Sequence, residues 1–235
     1  FSRDPKTRPI LLHEGGIEAI LSLLISCKPN VKSIQLEYLE VVLGVLWNLM
    51  LNAENSGVDA TVVATVSKEC SSRLLLAILK PCTSRNKLVF LCCRIMEALM
   101  LHEPNATLVA RLDGGLTTLL NIVHPRQDNR AFEAAAIEAG VIEEIERTPE
   151  AVEAALDLLA AFTRGSDNNV AALSKLSGFI KISAVITDAM AFPGILRAAF
   201  NIFLSCSSSD KYAPIIGRST PAISAALTAL KQYHA

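Results

Sequence analysis

The chain is 235 residues long, 51% hydrophobic and only 5% aromatic, and its 22 basic and 23 acidic side chains leave a formal net charge of −1. Apolar mass made of Leu, Ala, Ile and Val suits closely packed helices and predicts an all-α protein, while the balanced charge gives no general attraction to nucleic acid or anionic lipid. Mean hydropathy is +0.39, yet the longest apolar run, Val41 to Met50, is interrupted by Gly44 and Asn48 and falls well short of the roughly 20 residues a membrane span takes.

Two patterns recur along the chain. The first is a short helix stopped by glycine and followed at once by an aliphatic run: Leu11 to Leu21 around Gly15-Gly16, Val109 to Leu120 around Gly114-Gly115, Ile137 to Ile145 around Gly140, and Leu173 to Ile182 around Gly178. A short helix that ends in a left-handed turn, so that the next leaves at a steep angle, calls for glycine, which has no Cβ to clash there. The second is an apolar helix running into a polar loop. Val45 to Asn55 overlays Ile95 to Asn105 at an offset of 50, with weaker echoes at Ala155 to Thr163 before Gly165-Ser166-Asp167, and at Ala198 to Leu204 before Ser207 to Asp210. Loops of this composition cap the helix that follows.

These corners and helix ends resemble the armadillo repeat, whose unit runs from a polar loop through a short first helix, a glycine corner and a second helix to a longer third helix. The resemblance covers nearly all of the chain. It implies a right-handed α-solenoid of armadillo-like helical repeats, one domain over residues 1–235 with about five to six units. Taken in order, the first unit is Asp4–His13, Gly16–Cys27 and Val31–Leu51, and the second is Ser56–Lys68, Ser71–Leu79 and Asn86–Leu101. The third is Asn105–Leu112 and Gly115–Val123, and the fourth Arg130–Ala139, Val141–Glu146 and Pro149–Thr163. The fifth is Asn168–Leu176, Phe179–Met190 and Gly194–Leu204, with Lys211–Ile216 and Pro221–Tyr233 closing the stack. The second unit has Glu69-Cys70-Ser71-Ser72 where a glycine corner belongs. Only 25 residues separate Gly115 from Gly140, where a unit takes about 40; the unit near 124–130 is degenerate or incompletely represented.

Such a stack implies a concave groove lined by third helices, suited to an extended peptide or a partner helix. The candidates to line it are Gln35, Tyr38, Trp47, Asn48 and Asn52 in the first unit, Arg94 and Glu97 in the second, Glu153 and Asp157 in the fourth, and Arg197 and Asn201 in the fifth. Trp47, the single tryptophan, is either an interface anchor or core packing. Asn48 and Asn201 match the Asn that the family often carries near the end of the third helix, and either grip a ligand backbone or tie their own repeats together. Arg94 and Arg197 are solvated or meet an acidic partner, and reversing either charge is expected to weaken capture without lowering the melting temperature.

Charge is banded: residues 131–160 hold eight acids and one base, a net −7, whereas residues 71–95 hold five bases and no acid, a net +5. Nuclear import adaptors share the armadillo groove but present spaced Trp and Asn pairs to basic cargo, a ladder this chain lacks. The six cysteines form no C-x-x-C pair, and Cys92 and Cys93 diverge by about 100° on a helix. Together with four unspaced histidines they predict no metal site, no cofactor and free thiols in a reducing, cytoplasmic setting. No phosphate loop, nucleophile elbow or zinc-protease motif occurs. The expectation is therefore a non-enzymatic interaction scaffold or adaptor. The alternative is a structural subunit of a larger ciliary or cytoskeletal complex, suggested by the high hydropathy.

Overall fold

Short polar side chains start several of the helices. A computed structural model describes residues 7–26, 33–51, 57–100, 110–111, 113–124, 147–217 and 220–233. Among these, thirteen α-helices and one short 3-10 turn make up the regular structure, and strand pairing is limited to an isolated bridge between Leu51 and Val58. The protein is all-α. It divides into two compact units, 1–109 and 110–235.

The first unit carries α1 (Thr7–His13), α2 (Gly16–Ser26), α3 (Ser33–Met50), α4 (Ala60–Glu69), α5 (Ser72–Leu79), the 3-10 turn Lys80–Cys82 and α6 (Asn86–Leu99). The Asp59 carboxylate accepts from the Thr61 and Val62 N–H groups at the start of α4, and the Ser71 hydroxyl accepts from Leu74 N–H at the start of α5. Both satisfy donors that a helix leaves free in its first turn. Helix α6 packs against α3 and α5. Leu43, Leu46, Leu49 and Met50 of α3 and Leu88, Ile95, Met96 and Leu99 of α6 are fully buried. Helix α6 buries nearly its whole surface, leaving partly open a stripe of Phe90, Arg94 and Glu97 spaced four and three residues apart, which is one helical face.

The second unit carries α7 (Gly115–Val123), α8 (Pro149–Thr163), α9 (Asp167–Lys175), α10 (Gly178–Asp188), α11 (Pro193–Ser207), α12 (Ala213–Gly217) and α13 (Thr220–Tyr233). Helices α8 and α11 both begin with proline, which suits a first turn whose N–H groups have no acceptor. Their mutual contact is the most extensive in the unit; α10 packs against α13 and against α11, and α7 against α8. Helix α8 is buried along almost its full length, Ala151 to Phe162, on small and aliphatic side chains. The Asn169 amide, itself buried, donates to the Phe162 carbonyl at 2.8 Å, so the polar loop closes the helix before it as well as opening α9.

The helix ranges expected from sequence recur to within a few residues: Gly115–Val123 and Pro149–Thr163 are reproduced, and α3 spans Ser33–Met50 inside the expected Val31–Leu51. The helices expected at Asn105–Leu112, Arg130–Ala139 and Val141–Glu146 lie outside the described residues, apart from helical Ala110 and Arg111. So do the Gly140 corner and the question of the gap after His124. Gly15 and Gly114 take the left-handed backbone expected of them, at φ 73° and 74°. The corner before α10 is built otherwise. Ser177 holds the left-handed position at φ 55°, and Gly178 is needed for proximity, since a Cβ there would collide with the Leu173 side chain and come within 2.8 Å of its carbonyl oxygen.

Candidate partner-binding surface

Arg197 sits on the second turn of α11, where that helix lies along α8. Its Nη2 donates to Glu153 Oε1 at 2.8 Å and to Asp157 Oδ2 at 3.0 Å. Glu153 and Asp157 are one turn apart on α8, so both carboxylates present themselves to one guanidinium. The Asp157 side chain is 8% exposed and that of Arg197 54%. The hydrogen bonds to Asp157 and then Glu153 hold the guanidinium even more firmly protonated than usual. A Cβ at Gly194 would overlap the Glu153 carboxylate, so the glycine leaves room for that side chain. Asn201, one turn beyond Arg197, is half-buried. Three of the eleven groove candidates are thus joined in one cluster, with a fourth beside it.

In the first unit the candidates divide between α3 and α6. Arg94 donates to Glu97 Oε2 at 3.1 Å and lies over the Phe90 ring, 5.8 Å from its centroid; with side chains 20% and 37% exposed, the pair occupies the partly open stripe of α6. On α3, Tyr38 is 41% exposed, and Trp47 and Asn48 are half-buried. Asn52 and the side chain of Gln35 lie outside the described residues. The expectation that charge reversal at Arg94 or Arg197 would spare stability does not fit this geometry. Each guanidinium already satisfies a carboxylate, and reversal would place like charges together.

Sequence reasoning missed three features. The Arg8 guanidinium donates to the Leu49 carbonyl at 3.0 Å and to Asp59 Oδ2 at 2.9 Å, tying α1 to the end of α3 and the start of α4. That hydrogen bond, reinforced by the Val62 and Thr61 N–H groups against the opposing effect of burial, holds the Asp59 carboxyl below its ordinary range. A cleft of about 720 Å³ with mixed polar and apolar walls opens among α7, α9 and α10, with Thr117, Leu120, Asn121, His124, Lys175 and Ile180 among the residues that line it. The third is an apolar groove of about 460 Å³ between α11 and α13. Only this last left a trace in the sequence: Pro193, Leu196 and Phe200 on α11 recur at the three- and four-residue steps of one helix face, and Ala226, Ala229 and Leu230 share a face of α13.

Among the described residues no group of three His, Cys, Asp or Glu side chains could hold a metal ion, and no single helix is long and apolar enough to cross a membrane. Cys70, Cys82, Cys92, Cys93 and Cys206 are buried free thiols. No protein-family model matches the chain, and neither a curated protein nor a solved structure does.

Proposed function

We propose that the chain is an armadillo-like α-solenoid acting as a protein-interaction scaffold or adaptor, without chemistry of its own, and that it captures a partner peptide or helix on the open faces of its longer helices. The observation that carries this reading is the side-by-side stacking of like helices in the second unit, α8 with α11 and α10 with α13. Stacking of this kind buries each helix against its neighbours and leaves polar strips such as Glu153, Arg197 and Asn201 facing outward on a rigid support. A reducing cytoplasmic setting accords with the buried free thiols.

The test is capture by the full chain, quantified by mass spectrometry, comparing wild type with Tyr38→Ala and with Asn201→Ala. Neither substitution breaks the ion pairs described above. A scaffold of this kind is expected to retain a reproducible partner set that at least one substitution depletes about tenfold, a loss of roughly 1.4 kcal/mol, at unchanged melting temperature. An identical partner set in all three proteins would sink the assignment of these faces.

A second reading, a structural subunit built into a larger assembly such as a ciliary or cytoskeletal complex, draws support from large aliphatic side chains left in solvent. Leu204 is 69% exposed, Leu230 54% and Leu227 53%, and exposed aliphatic side chains of this size are what a covering neighbour would bury. A purified chain that runs as a soluble monomer would count against it.

A further inference from the structure

The cleft of about 720 Å³ among α7, α9 and α10 has the size of a ligand site. It sits at the corner between α9 and α10, with α7 packed against both helices. That corner is held in one shape, because Ser177 turns it in the left-handed region and Gly178 lies against Leu173. One lysine stands on each side of the turn, Lys175 in the last turn of α9 and Lys181 in the first turn of α10. Both line the cleft, and among the described residues that line it there is no acid. Neither lysine forms an ion pair among the described residues.

Helix α7 contributes Asn121, whose Oδ1 is buried and accepts no hydrogen bond among the described residues. A buried acceptor without a donor is costly, so this oxygen calls for an N–H or O–H from whatever enters the cleft. The rest of the lining includes Leu120, Leu176, Ile180 and Ala184, which offer an entering group apolar area to bury.

Three demands therefore meet in one cavity: an anion for two lysines, a donor for Asn121 Oδ1 and an apolar group for the aliphatic walls. Inorganic sulfate meets only the first, and a phosphorylated sugar brings charge and hydroxyls but nothing for the aliphatic side chains. The chain end of a polypeptide meets all three, with its α-carboxylate, the N–H of its last residue and the side chain of that residue. No side chain caps the start of α10, so the positive end of that helix adds to the attraction of Lys181 for a carboxylate.

We propose that this cleft captures the free C-terminal carboxylate of a partner polypeptide whose last residue is aliphatic. The carboxylate is held by Lys175 and Lys181, the last N–H donates to Asn121 Oδ1, and the last side chain packs on Leu120 and Ile180. The proposal rests on the scaffold reading and names the part of the partner that is recognised.

The probes are fluorescein-labelled heptapeptides, Gly-Ser-Gly-Ser-Gly-Ala followed by Val, Leu or Ile, each made with a free C-terminal carboxylate and as the C-terminal amide. Fluorescence anisotropy with the full chain is expected to show saturable binding of at least one free acid with Kd below about 1 mM, and binding of its amide at least tenfold weaker. Lys175→Glu and Lys181→Glu should each narrow the gap between acid and amide, whereas Asn121→Ala should weaken the acid at least threefold and keep the gap. Lys175 is exposed, so its variant is expected to melt with wild type, as circular dichroism would verify. No saturation by any free acid, equal binding of acid and amide, or a gap that survives both lysine variants would overturn the proposal. So would N-acetyl-leucine competing as tightly as the heptapeptides bind, in favour of a small carboxylic acid as the ligand. Capture by the strips carrying Tyr38 and Asn201, measured on the same preparations, separates the two ideas. If it persists while the peptides fail, only the cleft assignment falls; if the free acids bind while Tyr38→Ala and Asn201→Ala leave capture unchanged, the strips fall and the cleft stands.

Discussion

Arg197 and Asp157 lie 3.0 Å apart across the contact of α11 with α8, and the carboxylate is nearly all buried while the guanidinium is half in water. Replacing Arg197 by Met removes the charged partner of Asp157 next to a second carboxylate, Glu153. The expected cost is about 1–2 kcal/mol, toward the low end because the guanidinium is solvated. Urea denaturation would measure it, and Asp157→Asn in the Met background should recover part of the loss. Equal stability of Arg197→Met and wild type would mean that the pair contributes nothing.

The pH dependence of stability should carry the signature of Asp59. A carboxyl whose folded pKa lies below its unfolded value binds more protons when unfolded, so its contribution is fully present above the unfolded value and is lost as pH falls through the folded one. Asp59 is lowered from an ordinary 3.8 by Arg8 first and by the N–H groups of Val62 and Thr61. Wild type should therefore lose stability on acidification below about pH 5, and Asp59→Asn should show a shallower loss over that interval. Thermal melts of the two proteins between neutral and strongly acidic pH would reveal the difference.

Two glycine corners should fail for different reasons. Gly178→Ala drives a methyl group into Leu173, and about 1–3 kcal/mol of destabilisation is expected. Gly15→Ala meets nothing closer than 3.7 Å and suffers only from its left-handed backbone, for about 1 kcal/mol. Gly15→Asn should recover much of the second loss, because asparagine tolerates that conformation, whereas Gly178→Asn should be worse than Gly178→Ala.

The thiols should be silent in the folded protein. Burial pushes the Cys206 thiol up to about 11, so at pH 8 about one molecule in a thousand carries the thiolate. Burial likewise raises Cys92 and Cys93. Iodoacetamide at pH 8 is expected to leave all three unmodified until denaturant is added, as peptide mass spectrometry would register. Rapid native labelling of Cys206 would show that the α11 end opens readily.

Much of this architecture was legible in the sequence because it is written in local signals. Pro149 and Pro193 open helices, Ser71 and Ser166 cap them, Gly15 and Gly114 take positive φ, and each acts within a turn of its own position. The Gly178 corner shows where that legibility stops. The sequence carries the glycine, but whether it serves backbone conformation or close approach depends on Leu173, whose distance is set by packing.

The all-α class and, to within a few residues, the boundaries of the described helices were determined by the sequence by itself, since helical period and capping chemistry are local. Only the tertiary structure decided that Arg197 joins Glu153 and Asp157, residues 44 and 40 positions away, that Arg8 reaches Leu49 and Asp59, and that α13 faces its leucines outward. Burial and ion pairing depend on which helix lies alongside which. That is settled by the summed burial of many apolar side chains at once, not by any segment alone.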